Sequence, residues 1–149
     1  MAELCGYMIT WTTYGTWLQG DKRGYVKDGQ ILLPDKTIEQ FCQNFQKNPA
    51  ATLNKSERDI VGDSILTEAQ RIGHDIKAIA VCSNHVHLTA IPCNEAIEYI
   101  VGRYKNVATA ALRKYGRQGK IWTRGFDKRF CFNQQDLQNK IRYIKKHLL

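Results

Sequence analysis

The chain has 149 residues, 43% of them hydrophobic, a size and composition that suit one compact domain with a buried core. No uninterrupted apolar run reaches membrane-spanning length, and the N-terminus MAELCGYMIT lacks the basic start and apolar stretch of a secretion signal, so a soluble, cytoplasmic protein with no membrane partner is expected. The net charge of +8 is concentrated: from Arg103 onward 13 Lys and Arg face only Asp127 and Asp136, whereas residues 1–102 carry 9 basic against 12 acidic side chains. A C-terminal third at about +11 beside a remainder at about −3 suits a polyanionic partner.

In chain order, GYMITWTTYGTW is rich in β-branched and aromatic residues and predicts a first strand running into a loop. Residues 19–54 carry Gly20, Gly24, an Asp28-Gly29 turn and Pro34, then a short helical signal at TIEQFCQNFQ with Thr37 and Gln40 spaced as a capping box. This stretch reads as an elaborated insertion within a single domain spanning 1–149. Ser56 is placed to cap a helix over ERDIVGDSILTEAQRI that Gly73 ends. DIKAIAV and HVHLTAI then predict two antiparallel strands joined by the tight connection CSN. From Asn94, EAIEYIVGRYKNVATAALRKYG predicts a long amphipathic helix stopped at Gly116. KIWTRGFDKRFCF is extended and aromatic, one or two strands around a turn at Gly125. Asn133 caps a final helix, QQDLQNKIRYIKKHLL.

Two side chains at i and i+2 on a strand point to the same face, so His85 and His87 can share one metal ion while Val86 faces away. The pair has several homes. HxH occurs in zinc hydrolases, cupins and histidine-triad nucleotide enzymes, and two strand histidines can simply be hydrogen-bonded structural residues. His87-Leu88-Thr89 matches one half of a two-histidine phosphoesterase motif whose second copy is missing. A zinc site from Cys82, His85, His87 and Cys93 is conceivable, although the spacing fits no common zinc module. Five scattered cysteines without a CxxC pair point to a reducing compartment.

In the final helix Leu137, Ile141, Ile144 and Leu148 form the apolar stripe. At about 100° per residue, Tyr143 falls well over 100° from its centre and His147, four residues on, about 90°. Tyr143 is thus presented at a flank among Lys140, Arg142 and Lys146, where a phosphate is welcome. A surface tyrosine on a basic helix is the alternative. Interleaved with the basic residues are Tyr104, Tyr115, Trp122, Phe126, Phe130 and Phe132, which could stack unpaired bases or fill the core.

NHVHL after a β-run, the long helix behind it, the segment GKIWTRGFDKRF and a final helix containing RYIKKH together resemble the single-tyrosine HUH transposases, the REP-associated tyrosine transposases being the nearest type. TWTTYGTWLQGDKRG also resembles the opening of uncharacterised members. The type usually continues beyond the last helix with Asn-Pro and a further tail, where this chain reads His147-Leu148-Leu149.

The resemblance implies an α+β fold, a ferredoxin-like antiparallel sheet with helices packed on it and the HUH histidines on a central strand. It implies metal ligation by His85 and His87, a further nitrogen from His147 where relatives often carry Gln or Asn, and nucleophilic attack by Tyr143 on single-stranded DNA, with Mg²⁺ or Mn²⁺ as cofactor. The expected product is a covalent 5′-phosphotyrosine intermediate that is later rejoined. Arg103, Lys105, Arg113, Lys114, Lys120, Arg124, Lys128 and Arg129 are the candidates to hold the DNA backbone, the DNA bearing a hairpin, in an activity at the bacterial nucleoid. A homodimer is one expected form, since insertion-sequence members exchange tyrosine helices between subunits. Two further readings are a domesticated nucleic-acid-binding relative without turnover and a metal-dependent phosphoesterase without a tyrosine nucleophile.

Overall fold

The computed structural model describes residues 3–15, 25–27, 30–32 and 51–146. The helical signal and capping box at 37–46, the Asp28-Gly29 turn and His147 lie outside them. Between residues 19 and 54, β2 (Tyr25–Lys27) and β3 (Gln30–Leu32) form a two-stranded antiparallel ladder in which Lys27 faces Gln30.

The remaining elements are built by strand and helix periodicity acting on one sheet. In β1 (Gly6–Thr12) Tyr7, Ile9 and Trp11 are buried against one layer while Met8 packs against the other. α1 (Lys55–Ile72) follows, and its cap differs from the expected Ser56. Asn54 Oδ1 accepts from the Glu57 amide at 2.8 Å and Glu57 Oε1 accepts from the Asn54 amide at 3.0 Å. That reciprocal box satisfies two donors at once, so the helix begins before Ser56, which lies inside its first turn.

β4 (Ile76–Val81) and β5 (His85–Ala90) are antiparallel neighbours across residues 82–84. α2 (Ile97–Tyr115) starts three residues later than Asn94, at Ala96 with no side-chain cap, and ends at Gly116, whose φ of 114° needs no Cβ penalty. From the aromatic segment only β6 (Asp127–Cys131) is a full strand; upstream of it Trp122 makes a single bridge to Thr13. α3 (Gln134–Lys146) is capped by Asn133, whose Oδ1 accepts from the Asp136 amide at 2.8 Å.

The sheet order is β4-β5-β1-β6, all pairs antiparallel, and with the βαββαβ element order this is the ferredoxin-like arrangement. Its two faces are covered differently. One carries Tyr7, Ile9, Trp11, Val86, Leu88 and Ala90 against Val61 and Ile65 of α1 and Ile100, Tyr104, Ala108 and Leu112 of α2. The other carries Ala78, Ala80 and Cys131 against Leu137, Ile141 and Ile144 of α3. Gly6 admits α3: a Cβ there would meet Leu137 Cδ1 at 2.8 Å and the Ala90 carbonyl at 2.9 Å.

Candidate active site

On the α3 face the strand register sorts apolar from polar residues. Ala78, Thr89, Met8 and Arg129 form one row across β4, β5, β1 and β6, and Ala80, His87, Thr10 and Asp127 form the next. His85 then faces Thr12, and Cys82 follows the last residue of β4. Leu137, Ile141 and Ile144 occupy the apolar part of this face, so the last turns of α3 arrive over its polar end.

His85 and His87 sit on β5, an inner strand, with ring centroids 4.9 Å apart and planes at 88°. His87 is buried and His85 partly open to solvent. His85 Nδ1 lies 2.8 Å from Asn84 Oδ1. An amide oxygen only accepts, so this contact puts the proton on Nδ1 and leaves Nε2 the lone pair suited to a metal. Tyr143 is half exposed, and its ring centroid is 5.7 Å from that of His87 in an edge-to-face contact at 77°. The structure therefore brings His85, His87 and Tyr143 of one chain together.

Cys82 joins the histidines without Cys93, a grouping that sequence spacing does not reveal. Its sulfur and the nearest imidazole nitrogens of His85 and His87 all lie within 4.8 Å of one another, the one such group of three among the described residues. Burial pushes the Cys82 thiol up, opposed by the Arg58 guanidinium. Cys93 packs instead against the core on the α1–α2 face, so the four-ligand zinc arrangement does not assemble.

The basic candidates divide by what they touch. The Arg103 guanidinium pairs with the buried Glu68 carboxylate at 2.7 Å, and Lys105 Nζ donates to the carbonyls of Thr123 and Gly125 at 3.0 and 2.7 Å. Lys105 thereby pins the loop whose Thr123 amide donates to Thr12 beside His85, and burial lowers its ammonium pKa. Arg113 donates to the Arg117 carbonyl at 3.1 Å, Lys120 lies over the Tyr14 ring, Lys128 pairs with Glu98 at 3.2 Å and Arg129 with Asp127 at 3.2 Å. Lys114 and Arg124 are exposed. Hydrogen bonds of Ala51, Leu53, Ile121 and Thr123 to Thr12, Tyr14 and Ser83, and of the Arg117 guanidinium to the Thr52 carbonyl, put Arg113, Lys114, Lys120 and Arg124 around the same end of the sheet as His85.

Of the interleaved aromatics, Tyr104 and Trp122 are buried in the core, Trp122 donating to Thr109 Oγ1 at 3.1 Å. Tyr115, Phe130 and Phe132 are exposed, and the last two are neighbours on and just beyond the edge strand β6. No helix among the described residues is long and apolar enough to cross a membrane.

Comparison with known proteins follows the same lines. A REP-associated tyrosine transposase solved bound to a REP hairpin shares the fold, with a TM-score of 0.59 at 14% identity over 97% of this chain and 67% of that one. A transposase candidate from Deinococcus radiodurans R1 matches with a TM-score of 0.53 at 14% identity, over 99% of this chain and 93% of that one. No curated protein matches. The family described as "Transposase IS200 like" matches residues 35–147, three quarters of the sequence, and the chain belongs to that transposase family.

Proposed function

We propose that this transposase cleaves and rejoins single-stranded DNA, with Tyr143 as nucleophile and His85 and His87 as ligands of a divalent ion. The observation that carries this reading is the contact between Tyr143 and His87 within one chain. Two imidazoles on one strand face, one oriented by Asn84, form a donor set suited to Mn²⁺ and, with water and phosphate completing the shell, to Mg²⁺. Such an ion supplies Lewis-acid polarisation of the scissile phosphate.

The chain's own residues do the rest. Tyr143 loses its phenolic proton and its oxygen attacks phosphorus; the bond from phosphorus to O3′ breaks, and O3′ takes up a proton. The DNA 5′ end is left as a phosphotyrosine ester. A phenol, with a reference pKa of about 10, leaves far more readily than an alkoxide, so another 3′-OH can reverse the step without an external energy source. Burial of His87 fixes one side of the site, and the exposure of Tyr143 leaves the other open to a strand.

DNA contact is proposed for the cations at this end of the sheet, Arg113, Lys114, Lys120 and Arg124, and for Lys128 and Arg129 on β6, whose carboxylate partners are exposed and exchangeable. Arg103 and Lys105, bound to Glu68 and to loop carbonyls, act by holding the scaffold under that surface. A folded hairpin is the proposed DNA form, as one structural relative was solved bound to a REP hairpin. His147 is proposed as a further nitrogen ligand, from its place one helical turn past Tyr143.

The test is to incubate the protein and Mn²⁺ with labelled hairpin-bearing single-stranded DNA and to denature before electrophoresis. A protein–DNA adduct that Tyr143→Phe abolishes is expected. Metal-dependent cleavage surviving that substitution would overturn the tyrosine assignment and leave a phosphoesterase.

A further inference from the structure

We infer that Cys82 is a third ligand of the metal held by His85 and His87, making an N₂S site that favours a thiophilic divalent ion, Zn²⁺ or Co²⁺, over Mn²⁺ and Mg²⁺. This rests on the metal-binding reading of the histidine pair and goes beyond it in donor set and ion class. The turn between β4 and β5 makes the convergence possible. Cys82 N donates to the His85 carbonyl at 2.8 Å, which folds the connection tightly enough to set Cys82 beside the residue three positions on. Cys82 also continues the face of Ala78 and Ala80 on β4, the face to which His85 and His87 point on β5.

The donor separations, all within 4.8 Å, need closing by only about 1 Å to reach the spacing of ligands around a tetrahedral ion with metal–nitrogen and metal–sulfur bonds of about 2.1 and 2.3 Å. All three side chains are partly or fully shielded from solvent. With Cys93 in the other layer, the β4–β5 hairpin supplies three donors and not a closed four-ligand set, so phosphate, water or the proposed His147 nitrogen can complete the shell. A thiolate is a soft ligand, and soft ligands raise affinity for Zn²⁺ and Co²⁺ while doing little for Mg²⁺. Ligation breaks the Cys82 S–H bond and releases its proton to solvent.

Titration of the full chain with Co²⁺, read by absorption, tests this without reference to activity. The unsubstituted protein should show both the visible bands of bound cobalt and the near-ultraviolet charge-transfer band of a cobalt–thiolate bond. In Cys82→Ser the charge-transfer band should vanish while weaker visible bands persist, Zn²⁺ affinity should fall by at least about tenfold, and Mn²⁺ affinity should change little. An unchanged melting curve for Cys82→Ser shows that the fold is intact. Visible bands that depend on His87 but carry no charge-transfer band, or a charge-transfer band that survives in Cys82→Ser, would refute the role of Cys82 and spare the histidine pair. No bound cobalt at all would refute both.

Discussion

Each face of the sheet sets a histidine against tyrosine, two tyrosines on one face and one on the other, and the two groups are built for opposite ends. On the α1–α2 face His74 lies sealed in the core, its Nε2 2.8 Å from the Tyr7 hydroxyl and its Nδ1 2.5 Å from the Tyr104 hydroxyl. Every ring atom that can hydrogen-bond is used, burial pushes Tyr7 up to about 12, and no substrate can reach the group. On the α3 face His87 is as deeply placed but meets Tyr143 edge to face, and that tyrosine is 51% exposed. The same two residue types are structural where water is shut out and chemically available where the tyrosine stays open to solvent. What separates them is coverage among the described residues: two helices pack on one face, and on the other a single helix packs through Leu137, Ile141 and Ile144.

The largest expected effect comes from removing one hydroxyl on the open face. Tyr143→Phe should reduce adduct formation by more than about 10³-fold and, the residue being exposed, leave the unfolding free energy within about 0.5 kcal/mol of the parent. Next, Ile144→Ala should cost about 2–5 kcal/mol, since Ile144 is fully buried beneath α3. It should also lower adduct yield at temperatures where the protein is still folded, because Ile144 seats the turn that carries Tyr143. Equal yield in the folded variant would mean that α3 packing does not position the tyrosine.

Tyr104→Phe sharpens the contrast from the other side. Loss of a buried hydroxyl that His74 uses should cost about 1–3 kcal/mol while adduct formation by the folded protein is unchanged.

The sealed pair also carries a pH signature. Burial lowers the His74 imidazole to about 4, against the opposing pull of the Asp75 carboxylate, from an ordinary value of 6.5. Its folded-state pKa is depressed, so as pH falls below about 6.5 the unfolded chain binds the proton first, and stability declines down to about 4. Glu68, held at about 2 by Arg71 and then Arg103, adds its own loss only as pH falls below about 4.5. Denaturant midpoints at about pH 7 and about pH 5 bracket the window in which His74 contributes. They should fall in the parent protein and differ less in His74→Phe; a parent midpoint that does not move would remove the description of a sealed His74.

Periodicity made much of this legible in the sequence. HVHLTA alternates in the structure as its letters do, with Val86, Leu88 and Ala90 in one core and His85, His87 and Thr89 on the other face. Asn133 and Gly116 mark helix ends for reasons local to those residues. The contact between Tyr143 and His87 was not legible, because the apolar stripe of a helix reports what it buries and not what stands beside its flank. Spacing offers Cys82 only as one of four ligands with Cys93, since the hairpin geometry that converges three donors and excludes Cys93 is tertiary. Counting charge likewise does not reveal that Arg103 and Lys105 have partners inside the fold, because Glu68 lies 35 residues from Arg103 and the loop carbonyls about 20 from Lys105.

The most direct measurement mixes two inactive proteins. His87→Ala retains the tyrosine and Tyr143→Phe retains the histidines, so a shared site between subunits would be restored in the mixture, whereas a site made within one chain would not. With the unsubstituted protein giving adduct under the same conditions, the mixture should give none. Adduct on the His87→Ala chain would show that the tyrosine of one subunit serves the histidines of another, and would contradict the single-chain site.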